Sequence, residues 1–150
     1  MLVVVERGTG EVIWSRTLPF GQAGQHAARL ASDGRVTLFV NNEWCGDELC
    51  SSLVELDPIT GEQLWSWRPE RPSDFHSLIT GWVERQPSGN YLVSWSRGAG
   101  SFEAFELTRE GEIVWRWSRP SGLEDGELYK FFFRISRVPW SRVETAMELF

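Results

Sequence analysis

The stretch TGEQLWSW at residues 60–67 is written three times with variation, since TGEVIWSR occupies 9–16 and EGEIVWRW occupies 110–117. Aligned on Gly10, Gly61 and Gly111, the copies place Trp14, Trp65 and Trp115 at spacings of 51 and 50 residues. That interval belongs to propeller blades and solenoid repeats. A short apolar segment precedes each glycine, LVVVE at 2–6, SLVELD at 52–57 and EAFEL at 103–107, and an alternating segment follows it. Strand, glycine turn and strand make a β-hairpin, because glycine takes a positive φ without steric cost. Strict alternation after the turn predicts one face carrying Val12 with Trp14, Gln63 with Trp65 and Trp67, and Ile113 with Trp115 and Trp117.

Between these hairpins lies a second unit, ARLASDGRVTLFVNN at 28–42 and VERQPSGNYLVSWSR at 83–97, with turn glycines Gly34 and Gly89. Each reads as strand, turn and longer strand. Two hairpins per period give an all-β chain of four-stranded antiparallel propeller blades. The blades are expected near 1–18, 26–68 and 80–118, with a single closing strand at 129–138. Helical periodicity competes only in VETAMELF at the end. The strand RVTLFV is apolar on both faces, as a sheet covered on both sides requires. An outer-strand Trp then fills the wedge between adjacent blades, a burial worth about 2–3 kcal/mol. About two complete blades plus partial ones do not close a ring, for which four to eight blades are typical. The sequence therefore reads as part of a probable six-bladed propeller, completed by missing N-terminal blades or by a homodimer partner.

Composition narrows the partners. Of 150 residues, 15 are Lys or Arg and 21 are Asp or Glu, for a net charge of -6, and the basic residues are scattered singly. Nucleic acid is not an expected partner, because phosphate tracking needs a basic stripe. No apolar run reaches the ~18 residues of a membrane-spanning helix, and the opening MLVVVERGTG lacks the form of a signal peptide. Nine tryptophans and nine phenylalanines are the unusual entry. Phosphate-binding loops, nucleophile elbows and paired-histidine zinc motifs are missing, and the sequence calls for no cofactor.

The segments QHAARLASDGRVTLFVNN, SLVELDPITGEQLWSW and RQPSGNYLVSWSRGAGSFEAFELTREGEIVWRW, in this order, resemble the second half of an arylsulfotransferase-type β-propeller. The similarity covers about residues 3–139, and YKFFFRISRVPW at 129–140 is similar to the tail with which such chains end. The resemblance implies a six-bladed enzyme that moves a sulfuryl group between phenolic esters through a transiently sulfated histidine, with an aromatic sulfate or phenol as small-molecule partner. Cationic donors would stabilise charge developing on the sulfuryl oxygens while a neutral imidazole attacks. On this basis His26, Arg29 and Asn41 are the catalytic candidates. The match departs from the family at Ala27, where an acidic residue is expected, and at Gly81, which stands where the next blade would carry its histidine. His76, in SDFHSLITG, is a weaker catalytic candidate, and its first reading is a loop histidine beside Phe75. Arg97, among the glycines of SWSRGAG, is a weaker substrate-binding candidate.

Cys45 and Cys50 in NNEWCGDELCSS can close a local disulfide or supply half of a metal site. A structural zinc site needs four ligands, and no second Cys or His pair has suitable spacing, so no metal site is assigned and the disulfide is preferred. A disulfide fits an oxidising, secreted or periplasmic setting, which the resemblance also implies, although a cytoplasmic chain with two free thiols remains open. Two classes of function follow: an arylsulfotransferase-like propeller fragment, active if the rest of the ring completes it, or a non-catalytic propeller module for binding or scaffolding.

Overall fold

The three Gly-Glu-x-x-Trp hairpins close by the same backbone device. In the computed structural model, which describes residues 1–18, 24–98, 101–119 and 134–147, Gly10, Gly61 and Gly111 adopt φ of 76°, 72° and 95°. In the second copy the Asp57 carboxylate accepts from the backbone N–H groups of Ile59 and Thr60 at 2.7 and 3.0 Å. Glu6 holds Gly8 and Thr9 in the same way in the first. An acidic side chain thus satisfies the turn donors that the strands leave over.

These turns join β1 (Leu2–Val5) to β2 (Val12–Arg16), β5 (Glu48–Leu56) to β6 (Gln63–Trp67), and β9 (Ser101–Leu107) to β10 (Ile113–Arg119). The intervening units supply β3 (Gly24–Leu30) with β4 (Val36–Cys45), and β7 (Trp82–Arg85) with β8 (Tyr91–Gly98). Every pairing among them is antiparallel, giving a two-stranded sheet β1-β2 and two four-stranded meanders, β3-β4-β5-β6 and β7-β8-β9-β10. Among the described residues the chain is all-β apart from a short 3-10 turn at Pro72–Asp74 and helix α1 (Trp140–Met147). The described residues contain no closed ring of sheets.

One correction concerns alternation in the outer strands. The pairing slips at an equivalent point in each copy: Val5 faces Val12 but Val4 faces Trp14, Leu56 faces Gln63 but Glu55 faces Trp65, and Leu107 faces Ile113 but Glu106 faces Trp115. Ile13, Leu64 and Val114 are the extra residues. Each bulge puts Val12, Gln63 or Ile113 on the opposite face from the tryptophan that follows, and in the middle copy that tryptophan, Trp65, meets Tyr91 of the next sheet. A second correction concerns the tail. Residues 134–138 of the expected closing strand form no strand, and residues 129–133 lie outside the described set.

Two apolar layers result. Leu18, Val36, Leu38, Val40, Val54 and Leu56 fill the space on the β1-β2 side of the first four-stranded sheet, with Leu2 against them. Phe39, Leu53, Phe75, Val83, Tyr91, Val93, Trp95, Phe105 and Leu107 fill the space between the two four-stranded sheets. Trp65 stacks on Tyr91 with ring centroids 4.3 Å apart, and Trp67 meets Phe75 and Phe105 at 5.4 and 5.5 Å. The wedge-filling role therefore holds for the middle copy, whereas Trp115 and Trp117 remain 44% exposed.

Consecutive hairpins also interlock through their turns. Arg16, six residues after Gly10, lies where a Cβ on Gly61 would sit, and its Nη1 donates to the Ile59 carbonyl at 2.9 Å. Trp67, six residues after Gly61, lies 3.2 Å from where a Cβ on Gly111 would sit. Trp65 Nε1 donates to the Arg109 carbonyl at 2.8 Å. The turn glycine thus serves twice, once for its φ and once as the seat for the preceding hairpin's side chain.

Beneath these contacts lies Glu55, fully buried on β5. Its carboxylate accepts from Arg109 Nη1 at 2.7 Å, Arg35 Nη1 at 3.2 Å and Tyr91 Oη at 3.1 Å, and Arg85 Nε lies 3.8 Å away. Burial acts to raise the Glu55 pKa, but the hydrogen bonds from Arg109 and Tyr91 and the charge of Arg109 outweigh it and hold the carboxyl below its ordinary value. Tyr91 is pushed up to about 12 by burial and by the Glu55 charge. Glu106 occupies the equivalent place in the third copy. It accepts from Asn90 Nδ2 at 2.8 Å and pairs with Arg137 of the tail, while Arg134 lies over the Trp82 ring at 4.6 Å.

Two expectations follow. Since the folded Glu55 pKa is depressed, its stabilisation is present above the unfolded carboxylate value of about 4.3 and is lost as pH falls through the folded value. Glu55→Gln should cost roughly 2–3 kcal/mol in urea unfolding at pH 7, by leaving partly buried guanidinium groups without their anion, and should flatten the acid limb of stability against pH. Gly81 has φ 149°, and a Cβ there would overlap the Phe39 ring. Gly81→Ala should therefore cost about 3 kcal/mol or more, against about 1 kcal/mol for Gly34→Ala, whose φ is 84° with open space around it. Equal losses in thermal unfolding would contradict this account.

Candidate functional site

Strict alternation would put His26 and Arg29 on opposite faces of β3. The backbone prevents this, because Ala27 adopts φ 55° and inserts an extra residue between the pairs His26–Phe39 and Arg29–Thr37. Both side chains consequently share the face of β3-β4 that carries Phe39 and Asn41, the face turned toward the second four-stranded sheet. A second left-handed residue, Asn42 with φ 57°, inserts a bulge into β4 between Val40 and Glu43. The two bulges shape one end of the cleft between the sheets.

The three catalytic candidates thus share a face, but two are tied into the fold. Arg29 Nη2 lies 3.6 Å from Glu84 Oε1, with its guanidinium 4.9 Å from the Trp82 ring centroid. Asn41 is fully buried, donates from Nδ2 to the Thr80 carbonyl at 3.0 Å and accepts from Ser51 Oγ at 3.4 Å. His26 is half-buried opposite Phe39. By pairing register the residue of the second four-stranded sheet that corresponds to His26 is Trp82, which faces Ser94 as His26 faces Phe39, while Gly81, one residue earlier, lies against the Phe39 ring.

His76 enters this end of the cleft from the segment before β7. Its Nε2 lies 3.0 Å from Asn42 Oδ1, and burial lowers its pKa, favouring the neutral imidazole. Asn42 also donates from Nδ2 to the Leu78 carbonyl at 3.0 Å. Ser77 Oγ and Thr80 Oγ1 are 2.8 Å apart, and the Ser77 N–H donates to Ser51 Oγ at 3.0 Å. Asn42, Ser51, Ser77 and Thr80 were not legible as a set, although asparagine is one of the few residue types that visits the left-handed region.

Arg97 sits at a different place, on the rim of a cavity of about 330 Å³ between the sheets. The floor is aromatic, from Trp67, Phe75, Trp95 and Phe105, and the rim carries Arg97, Asp74, Arg116 and Glu103. Arg97 Nη2 donates to the Asp74 carbonyl at 2.9 Å and lies 3.6 Å from its carboxylate, while Arg116 Nε pairs with Glu103 at 2.7 Å. Trp95 is 4% exposed, and its indole N–H has no hydrogen-bond partner among the described residues. A cavity that combines aromatic walls with convergent polar groups is a form that small-molecule sites take.

Cys45 and Cys50 form a disulfide at the tip of the β4-β5 hairpin. No described helix is long and apolar enough to cross a membrane. No protein-family model matches this chain, and no solved structure matches it.

Proposed function

We propose that the chain is a β-propeller module of the arylsulfotransferase type that binds a phenolic ligand between its four-stranded sheets without transferring a sulfuryl group. The aromatic cavity beneath Arg97 carries this reading. Its floor of mutually tilted aromatic rings offers edges and faces to an aryl ring, whose burial supplies most of the affinity. Each guanidinium on the rim is offset by a carboxylate, Asp74 or Glu103, so donors and acceptors stand side by side. A phenol hydroxyl, which both donates and accepts, matches such a rim better than a fully charged sulfate.

Arg29 and Asn41 speak against transfer, because their polar groups are already engaged by Glu84, Thr80 and Ser51. A cation that must stabilise charge in a transition state has to be aimed at the reacting group. The second reading is sulfuryl transfer through histidine in a completed ring. It is favoured by the bulge at Ala27, which sets His26 on one face with Arg29 and Asn41. In either case further blades, from a longer chain or a second copy, complete the propeller. The Cys45–Cys50 disulfide supports an oxidising, secreted or periplasmic setting.

Titration with phenol and with phenyl sulfate, followed by tryptophan fluorescence, separates the readings. Phenol should quench saturably with a dissociation constant of roughly a millimolar. The double variant Arg97→Ala/Arg116→Ala should bind about tenfold more weakly, a loss of about 1.4 kcal/mol, and His26→Ala should bind unchanged. Incubation with phenyl sulfate and a phenolic acceptor should give no product above buffer. Transfer that disappears in His26→Ala would establish the second reading, and the lack of any saturable quenching would remove the first.

A further inference from the structure

The tip of the β4-β5 hairpin carries a cluster that the phenol cavity does not use. The Asn42 bulge shifts the register so that Glu43 stands directly opposite Cys50, and Cys45 follows two residues later on the same face. A Glu43 carboxylate oxygen and the sulfurs of Cys45 and Cys50 lie within 4.8 Å of one another. Ser52 Oγ donates to Glu43 Oε2 at 2.6 Å and fixes the carboxylate. Arg68, just beyond β6, brings Nη1 to 2.8 Å from Cys45 Sγ and 4.0 Å from Cys50 Sγ. Two cysteines alone are half a site, but the bulge supplies a third donor that linear spacing does not reveal.

We propose that reduction of the Cys45–Cys50 disulfide opens a site for a zinc-class divalent ion, with the two thiolates and the Glu43 carboxylate as ligands and water in the fourth position. Three protein ligands with one open position is a recognised zinc arrangement, and two sulfur donors select such an ion over magnesium or calcium. The charges fit. Two thiolates and one carboxylate around a dication leave one negative charge, which the Arg68 guanidinium offsets while donating N–H to sulfur from outside the ligand shell. In the reductive step a phosphine breaks the S–S bond, takes up oxygen from water as its oxide, and leaves two thiols. Metal binding then releases their two protons. In the reverse direction a low-molecular-weight disulfide accepts the two electrons, leaves as two thiols after taking up two protons, and the re-formed protein disulfide discharges the ion. The site is independent of the phenol reading, since none of its residues lines that cavity.

The test is an anaerobic cobalt(II) titration of the intact chain after phosphine reduction. A thiolate-to-cobalt charge-transfer band should rise and saturate at one equivalent, vanish on adding zinc, and be missing from the oxidised chain and from Cys45→Ser. Glu43→Gln should weaken cobalt binding about tenfold or more, with its near-UV tryptophan signal unchanged. The proposal is overturned if the reduced chain gives no band. Equal cobalt affinity in Glu43→Gln would overturn it as well, because the carboxylate would then be no ligand. So would loss of the near-UV tryptophan signal on reduction alone, since paired β4 and β5 are what bring the donors together.

Discussion

A carboxylate with no access to water has to be paid for by its neighbours, and Glu55 sets the terms on which the two large sheets can meet. Its three arginines come from separate turns: Arg35 precedes β4 in its own sheet, Arg85 ends β7, and Arg109 lies in the turn before β10. Tyr91, at the start of β8, both donates to the carboxylate and offers its ring to Trp65. Hydrophobic burial has no direction, whereas this set of hydrogen bonds has only one geometry. The apolar layer supplies the bulk of the stabilisation, and the carboxylate fixes the rotation of one sheet on the next. Glu106 repeats the arrangement in reduced form, with Asn90 in the place of Arg35 and Arg137 of the tail supplying the cation.

The same economy governs the cleft. Two left-handed residues, Ala27 and Asn42, decide which side chains meet there, because each adds one residue to a strand and reverses the alternation beyond it. The Ala27 bulge sets His26 and Arg29 on one face. The Asn42 bulge separates Asn41, turned to the second sheet, from Glu43 beside the cysteines. A polar set against the 76–80 segment and a sulfur-rich set near Arg68 thus arise on opposite faces of one strand.

The repeat was the most legible part of the sequence. Period-two patterning and turn glycines locate the hairpins, since both are local consequences of backbone sterics, and the four-stranded antiparallel sheets follow from them. Bulges were not legible, because nothing in VIWSR or QLWSW distinguishes a strand with one extra residue from a regular one. The faces assigned to Val12, Gln63 and Ile113 were reversed for that reason. The closing strand expected at 129–138 fails over 134–138, where Arg134 and Arg137 use their side chains instead of the backbone to engage the third sheet. Of the candidate site, His26, Arg29, Asn41, His76 and Arg97 were named from sequence. The commitments of Arg29, Asn41 and Arg97 to Glu84, Thr80 and Asp74 depend on contacts between segments distant in the chain, and Arg116 carries no signal of its own because its cavity exists only once two sheets have packed.

The interlock of turn and outer strand has an evolutionary consequence. A side chain six residues beyond one turn glycine rests on the glycine of the following copy, as Arg16 does on Gly61 and Trp67 on Gly111. A repeat of this kind cannot drift alone. A replacement at either member of such a pair selects for change at the other, in a neighbouring copy, so descendants of this chain should show linked substitutions across repeats even where each repeat by itself has lost its resemblance to the rest.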